Sequence, residues 1–391
     1  MPVIDVNLVK GLVTHNGDLF VPESVTEAIG SCVSSSPEDV KREIARLKDV
    51  YSSYVELDEP VKVEYHGDAT IDAYLVNYLP RNTLIPKLLF LSIVVHPAFQ
   101  NIPDEIKILD LGSGTGAIVI GFLDLLKNEP FSSIHAKVVC CEISKPSLNR
   151  QKELLEKLKF ANCEVWHSAM DFTKLETYES NLVKFAPYDF IIAANVLTEL
   201  PHEHIDALLA NMPNILTENG LLLIAEAPRT YTNKLSVHTS KFLREVGLYQ
   251  FYPCPPGYQC SKEQCWVWFK TDFECPDIEI GGESIPVTNV LKTTWAIYCR
   301  SEHSIYDFLY GEDPSLTWGV AAPFGDEFSP KEEMDYEVCT KDGIKIVSHR
   351  RKKAWFREKD SVILKGSMLG FNEDYSKVSG WHPLYQLRSR T

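Results

Sequence analysis

The sequence gathers three cysteines, Cys254, Cys260 and Cys265, in the stretch YPCPPGYQCSKEQCWVWF at residues 252–269. The prolines and the glycine between them exclude regular helix or strand, so these thiols are expected on a loop. Cysteine thiolates bind zinc and iron–sulfur clusters, which favours a metal site over simple packing of small apolar side chains. The spacing does not match the shorter knuckles of zinc fingers. A fourth ligand would come from one of Cys275, Cys299 and Cys339.

A glycine-rich turn is the second feature with chemical potential. The segment ILDLGSGTG follows an apolar run and precedes a helical pattern, with Gly112, Gly114 and Gly116 at alternate positions. Such a turn lets the backbone approach a ligand closely at the N-terminus of a helix. Asp110 stands just before it, where we expect it near an amino group of the ligand.

Polar residues follow the next three apolar runs. Glu142 ends the second run, where a carboxylate can bind both hydroxyls of a ribose, and Asp171 follows the third, where an adenine amino group would lie. Asn195 follows the fourth and completes the predicted cofactor site. The arrangement resembles S-adenosylmethionine-dependent methyltransferases, and a dehydrogenase that binds NAD is the alternative.

No catalytic residue emerges from the sequence. An N-methyltransferase of the Asn/Asp-Pro-Pro-Tyr type would show that motif after the fourth strand, whereas Asn195 is followed by Val196 and Leu197. Glu199 is interpreted as a helix-start or structural acid. His202 and His204 are two positions apart and would point to different faces of a helix, which argues against a metal pair.

The elements that must position these residues follow from periodicity. Near the N-terminus, Ser36 is expected as the N-cap and Pro37 at the first position of a helix whose apolar face consists of Val40, Ile44, Leu47, Tyr51 and Tyr54. Short apolar runs alternate with helical patterns from residue 105 to about 300, which predicts a parallel sheet covered by helices. The five runs are IKILDLG, AKVVCCEI, CEVWHSA, YDFIIAA and NGLLLIAE. We predict an α/β fold: a Rossmann-like, seven-stranded methyltransferase domain with a late hairpin formed by CWVWFK and TTWAIYC. The predicted divisions are a helical region at 1–100, this domain at 101–311 and a β-rich basic module at 312–391.

Composition bounds the classes of function. The chain has 391 residues, 45% of them hydrophobic, and a formal net charge of −15. This charge argues against coating nucleic acid with the whole surface. No apolar run is long enough to span a bilayer, and no secretory or transit signal is evident, so a cytoplasmic location is one expectation.

One segment is basic although the chain as a whole is acidic. The segment KIVSHRRKKAWFREK at residues 345–359 has seven basic residues and one acid, with aromatic side chains between them. Base stacking beside phosphate-binding charge is typical of RNA interfaces, and a solvated charge run is the alternative. The predicted RNA-binding residues are Arg350, Arg351, Lys352, Lys353, Trp355 and Arg357.

Several stretches in one order resemble a known family. YLPRN, LDLGSGTG, YDFIIAANVLTELP, GLLLIAEAP, YPCP…C…CWVWF, WAIYCRSE and YEVCTKDG are similar to the methyltransferase-like assembly factors of the mitochondrial small ribosomal subunit, which have prokaryotic relatives. The resemblance implies a four-iron four-sulfur cluster, with zinc as the alternative metal. Its implied ligands are Cys254, Cys260, Cys265 and Cys339. It also implies small-subunit rRNA and ribosomal proteins as partners, and the mitochondrial matrix as location.

Three functional hypotheses therefore remain. The first is a small-subunit assembly factor that binds rRNA, uses S-adenosylmethionine and carries the cluster. The second is a methyltransferase of a small molecule or a protein, with structural zinc or no metal. The third is an RNA-binding scaffold without methyl transfer. In each case we expect a monomer that does not associate with membranes.

Overall fold

A computed structural model describes most of the chain. The described residues are 11–15, 18–63, 67–93, 104–174, 182–255, 265, 269–302, 304–307, 317–323, 333–350, 368–371 and 378–381. Among them, no helix has the length and apolar character needed to cross a membrane.

The helices and strands alternate through the middle of the chain. The helices are α1 (Glu23–Cys32), α2 (Pro37–Ser53), α3 (Asp68–Asn77), α4 (Leu79–Asn82), α5 (Leu84–Ile93), α6 (Ala117–Leu126), α7 (Lys145–Leu158), α8 (His202–Ala210), α9 (Met212–Ile215) and α10 (Thr230–Glu245). The first nine strands are β1 (Thr14–His15), β2 (Asp18–Phe20), β3 (Glu105–Leu111), β4 (His135–Glu142), β5 (Cys163–Ala169), β6 (Tyr188–Ala194), β7 (Leu216–Glu226), β8 (Tyr249–Tyr252) and β9 (Phe269–Glu274). The others are β10 (Ile278–Ile280), β11 (Glu283–Ile285), β12 (Val290–Cys299), β13 (Thr317–Pro323), β14 (Glu333–Thr340), β15 (Gly343–Arg350), β16 (Met368–Phe371) and β17 (Val378–Trp381).

The predicted α/β fold is confirmed, with a larger sheet than the sequence indicated. The order β5-β4-β3-β6-β7 is parallel throughout, and β12 joins β7 antiparallel. All five predicted apolar runs are strands, and most residues of β3, β4 and β6 are buried because helices cover both faces. The sheet has ten strands rather than seven because β1, β2 and β8 also join it: β2 adds to β9 in parallel, β1 is the hairpin partner of β2, and β8 pairs with β12.

Two short strands, β8 and β9, pair with different parts of β12. Both β8 and β9 pair antiparallel with β12, β8 at Ile297–Cys299 and β9 at Val290–Thr293. The predicted late hairpin is thus present from Phe269 onward, and residues 266–268 lie outside the described part. The cysteine loop leaves the sheet where β8 ends and returns where β9 begins.

The N-terminal helices pack against the carboxyl ends of the central strands. Ser36 caps α2 by accepting the N–H of Asp39, as its sequence predicts, and Val40, Ile44 and Leu47 are buried. The buried Asp72 of α3 accepts the N–H groups of Ser34 and Ser35 at 2.9 Å. It also pairs with Arg150 of α7. These contacts hold the helical region to the half of the sheet formed by β3, β4 and β5.

The C-terminal region is a separate five-stranded antiparallel sheet. Its order is β15-β14-β13-β16-β17. Within the predicted β-rich module, the stretches DYEVCT and IKIVSH lie in β14 and β15, whereas SVILKG lies outside the described residues. The proposed boundaries at residues 100 and 311 stay predictions.

Candidate functional site

The turn after β3 has the backbone geometry that its glycines predict. Gly112, Gly114 and Gly116 have φ values of 67°, 51° and 93°, a region that other residues rarely adopt. A Cβ on Gly112 would lie 2.5 Å from a methyl group of Val196, and one on Gly116 would lie 2.6 Å from Gln151. A Cβ on Gly114 would instead enter open space, with its nearest neighbour 4.0 Å away. The turn therefore leaves room for a ligand at Gly114.

That space is a cavity of about 120 Å³ above the carboxyl ends of β3, β4 and β6. We call it the cofactor cavity. Its walls include the glycine turn, Glu142, Ser144 at the start of α7, and Asn195. The strand order reverses between β3 and β6, so the cavity lies at the topological switch point where open α/β sheets bind ligands.

Asp110 is buried directly beneath the turn. It is 1% exposed, and neither carboxyl oxygen has a hydrogen-bond partner among the described residues. Burial, with the nearby charge of Glu142, raises the pKa of Asp110 well above its ordinary value. A buried acid without a partner is costly, so a ligand with a donor or a positive charge fits here.

Glu142 connects the second strand to the turn. Its carboxylate accepts the N–H of Gly114 at 2.9 Å and the N–H of Ser144 at 2.8 Å. Burial raises the pKa of Glu142, while these two backbone donors oppose the rise. The side chain lines the cofactor cavity, and its contact with ribose hydroxyls stays a prediction.

The other two predicted cofactor residues differ in position. Asn195 has a left-handed backbone (φ 56°) and lines the cofactor cavity, and its Oδ1 accepts the N–H of Ala227 at 3.1 Å. Asp171 binds its own turn instead: it accepts the hydroxyl of Thr173 at 2.6 Å and pairs with Lys174. Asp171 is not among the described residues that line this cavity, and its adenine contact stays a prediction.

A larger cavity adjoins the first one. This acceptor cavity, of about 640 Å³, lies between α2, α3 and α4 on one side and the ends of β6 and β7 and the start of β12 on the other. Four residues line both cavities: Tyr74, Asn82, Asn195 and Glu199. A molecule in the acceptor cavity would therefore lie beside a ligand in the cofactor cavity.

One glutamate, Glu199, lies at this junction, and a second, Glu226, binds the backbone next to it. Glu226 is 3% exposed and accepts the N–H groups of Val196 and Leu197 and the hydroxyl of Thr198. Burial raises the pKa of Glu226 to about 7. Glu199 is exposed to the cavities, and desolvation by their walls, with the charges of Glu142 and Glu226, raises its pKa too. The interpretation of Glu199 as only a structural acid missed this position.

The structure brings two of the loop cysteines together. Cys254 and Cys265 line one cavity of about 60 Å³, and both help to raise the pKa of the buried Tyr298, after burial itself. The loop ends are anchored: the N–H of Cys265 donates to Asn233 O at 2.8 Å, and Tyr306 Oη donates to Pro253 O at 2.9 Å. Cys260 lies outside the described residues.

Cys339 lies on β14 and packs against the main hydrophobic core. In the described part of the chain, no three His, Cys, Asp or Glu side chains form a group that could hold a metal ion. The four-cysteine site implied by the resemblance stays a prediction, because one of its members is not described.

The basic segment can be followed only at its start. Arg350 ends β15, opposite Glu333 of β14. The other predicted RNA contacts, Arg351, Lys352, Lys353, Trp355 and Arg357, lie outside the described residues.

Sequence reasoning missed most of the acceptor cavity. Tyr51 was expected on the apolar face of α2, yet it lines the cavity together with Tyr74, Tyr78 and Arg81. The sequence contained a signal for these residues, because positions 74, 78 and 81 recur at intervals of four and three, a spacing that is typical of one face of a helix. Arg229, from the loop after β7, has no such local signal.

Comparison with known proteins agrees with this geometry. Residues 109–222 match the model of a methyltransferase domain. The match runs from the end of β3 into β7 and includes the glycine turn, Glu142, Asn195 and Glu199. No curated protein matches the chain.

Similar folds occur among solved methyltransferases. The magnesium protoporphyrin IX methyltransferase of Synechocystis PCC 6803, solved with bound S-adenosylmethionine, is 14% identical, with 68% of this chain and 100% of that chain covered and a TM-score of 0.35. An O-methyltransferase family protein of Burkholderia thailandensis is 11% identical, with 67% and 71% covered and a TM-score of 0.38. At these values, the likenesses say nothing about the substrate.

Proposed function

We propose that this chain is an S-adenosylmethionine-dependent methyltransferase that acts on RNA of the small ribosomal subunit as an assembly factor. The observation that carries methyl transfer is a pair of adjoining cavities, one at the glycine turn of the methyltransferase domain and one between the N-terminal helices and the strand ends beside it. The resemblance in the sequence supports the ribosomal role, the rRNA and ribosomal-protein partners and the mitochondrial matrix.

The residues of the cofactor cavity fit S-adenosylmethionine. When bound, the cofactor supplies a methyl group on a positively charged sulfur. Asp110 would face the amino group of its methionine part, because its two buried oxygens are without partners in the described structure. Glu142 would hold the ribose hydroxyls, and Gly114 leaves the space that the ligand needs.

Glu199 is suited to take up a proton at the junction. An oxygen or nitrogen acceptor loses one proton when it gains a methyl group, and that proton needs a base within reach. Glu199 lines both cavities, and its raised pKa makes its carboxylate a better base near neutral pH.

A substitution in the turn tests cofactor use. Gly114→Ala places a methyl group in the cofactor cavity, so we expect at least a tenfold loss of S-adenosylhomocysteine affinity in calorimetry. Gly282→Ala is the matched control, since Gly282 also has positive φ (85°) and open space around its Cβ, but lies between β10 and β11. Equal affinities in the two variants would refute the assignment of the cavity.

For the cysteines we propose a four-iron four-sulfur cluster held by Cys254, Cys260, Cys265 and Cys339, with zinc as the alternative. The convergence of Cys254 and Cys265 beside Tyr298 supports it. Protein purified without oxygen should contain four iron atoms and four sulfides per chain by the proposed stoichiometry. It should lose them in Cys265→Ser and keep them in Cys275→Ser. Zinc without iron would select the alternative, and a metal-free protein would refute both.

A methyltransferase of a small molecule or a protein is the second candidate. The walled acceptor cavity favours it, because its volume lies in the range of small-molecule sites. The two candidates differ in cosedimentation: an assembly factor travels with small-subunit precursors in a sucrose gradient. Full activity on a small molecule, with no protein in the ribosomal fractions, would select the second candidate.

A further inference from the structure

The acceptor cavity concentrates positive charge in an acidic protein. The chain carries a net charge of −15, yet four cationic side chains line this cavity against the single acid Glu199. They are Lys48, Arg81, Arg229 and Lys292. Within the described residues, none of the four makes an ion pair with a carboxylate at 4.0 Å or less. Such a site favours an anion.

The two arginines are held against aromatic rings. The guanidinium of Arg81 lies 4.2 Å from the ring centre of Tyr78, and that of Arg229 lies 5.3 Å from the ring centre of Tyr51. Stacking on a ring leaves the N–H edge of a guanidinium available to an anion. Nη1 of Arg229 is a buried nitrogen with no hydrogen-bond partner in the described part of the molecule.

The same wall offers a flat apolar surface. Tyr74 and Tyr78 are stacked with ring centres 5.1 Å apart, and Tyr51 lies 5.2 Å from Tyr78 at an angle. Both Tyr51 and Tyr74 are half-buried and line the cavity. Three phenol rings beside two arginines can bind a ligand that combines a planar ring with an anionic group.

We propose that the acceptor cavity binds a nucleotide, with its base against Tyr51 and Tyr74 and its phosphate between Arg81 and Arg229. Nucleotides join a planar ring and a phosphate in one unit, and arginine binds phosphate through two parallel hydrogen bonds. The idea that this nucleotide is the methyl acceptor rests on the proposed function. The binding of the nucleotide does not depend on it. The source is either a free mononucleotide or a nucleotide within single-stranded RNA.

Equilibrium binding without cofactor tests the proposal. The four nucleoside monophosphates, the four nucleosides and a single-stranded RNA of twelve nucleotides are titrated into the full chain by calorimetry. We expect at least one monophosphate to bind at least tenfold tighter than its nucleoside. Arg229→Gln and Tyr51→Leu should each weaken that binding about tenfold, and Arg229→Lys should weaken it less than Arg229→Gln.

Matched controls lie on or next to helix α2, outside the cavity. Arg42→Gln and Tyr54→Leu on and next to α2 remove the same side-chain types and should leave binding unchanged. RNA that binds tighter than the monophosphates and depends on Arg229 would identify RNA as the source, and binding of monophosphates alone would identify the free nucleotide. Equal affinity for nucleoside and nucleotide, or binding insensitive to both cavity variants, would overturn the proposal.

The cofactor provides an independent readout. S-adenosylhomocysteine is titrated into the same variants, because Arg229 and Tyr51 line only the acceptor cavity. If Arg229→Gln still binds S-adenosylhomocysteine, the variant is folded, and its loss of nucleotide affinity is specific. A wild-type chain that binds nucleotide but no S-adenosylhomocysteine would contradict the proposed methyl transfer and leave the nucleotide site intact.

Discussion

At the scale of the residue, Asp110 joins a folding cost to a binding role. Its carboxyl group is buried and has no partner among the described residues. Because burial raises its pKa, the folded chain holds a proton that the unfolded chain releases above the ordinary value of 3.8. Stability from this residue is therefore lost as pH rises above that value.

Asp110→Asn should separate the two effects. We expect the variant to be more stable than the wild type by about 1–3 kcal/mol at pH 8 and by less at pH 5, because no charge has to be neutralised. Affinity for S-adenosylhomocysteine should fall at least tenfold. Urea unfolding and calorimetry measure these changes, with the exposed Asp104→Asn as control. A less stable variant with unchanged affinity would contradict both roles.

Glu226 predicts a second pH dependence. Its pKa is raised from 4.5 to about 7, so its contribution to the free energy of unfolding falls as pH rises between those values. Glu226→Gln keeps acceptors for Val196 and Leu197 but cannot ionise. Between pH 5 and pH 8, the free energy of unfolding should fall by about 1–3 kcal/mol less in the variant than in the wild type.

The measurement is the urea midpoint at each pH. Glu218→Gln, on the exposed part of the same strand β7, should follow the wild type. Parallel curves for Glu226→Gln and the wild type would show that Glu226 does not titrate in this range.

At the scale of the element, helix α6 depends on a glycine for its distance from the N-terminal helices. A Cβ on Gly121 would lie 2.0 Å from the carbonyl oxygen of Thr83 and 2.7 Å from Pro86. The helix that follows the cofactor turn thus packs backbone to backbone against the segment between α4 and α5. This close packing fixes the cofactor cavity relative to the acceptor cavity.

Gly121→Ala should therefore destabilise the protein, although alanine favours a helix interior. Overpacking is expected to cost about 1–3 kcal/mol, more than the 0.5–1 kcal/mol that alanine contributes in an exposed helix. Thermal unfolding provides the measurement. Gly11→Ala is the control, because nothing lies within 4 Å of a Cβ there. A stabilised Gly121→Ala chain would show that the helices separate readily.

At the scale of the whole molecule, charge is distributed unevenly. The acidic chain has a cationic acceptor cavity in its central domain and a basic segment that begins at the end of β15. An acidic surface with local basic sites disfavours nonspecific binding of nucleic acid and leaves local sites for it. The proposed RNA contact through residues 350–357 belongs to this scale.

Changing Arg350, Arg351, Lys352 and Lys353 together to alanine should weaken binding of small-subunit rRNA. The slope of log affinity against log salt should decrease by about 2–3, since each single-strand phosphate contact contributes about 0.7. Filter binding at salt concentrations from about 50 to about 200 mM measures this slope, because the effect of salt is large in that range.

Four exposed lysines of α7 and its C-terminal cap serve as the control: Lys145, Lys152, Lys157 and Lys159. Their change to alanine removes the same charge and should leave the slope nearly unchanged. Equal slopes for both quadruple variants would exclude the basic segment from the RNA interface.

The sequence alone determined the features that neighbouring residues encode. Apolar runs predicted the five parallel strands, and the positive φ values of Gly112, Gly114 and Gly116 follow from glycine spacing within one turn. Ser36 and Pro37 predicted the start of α2. In each case the interacting residues are only a few positions apart in the chain, so the local sequence pattern predicts the structure.

The tertiary structure decided what distant segments form together. The acceptor cavity combines residues from 48–85, 195–229 and 288–292, and only the packing of the N-terminal helices on the strand ends makes them neighbours. Glu199 changed from a structural acid to a residue at the junction of two cavities for the same reason. Burial, which raises the pKa of Asp110 and Glu226, also depends on the whole fold, because desolvation comes from atoms far along the chain.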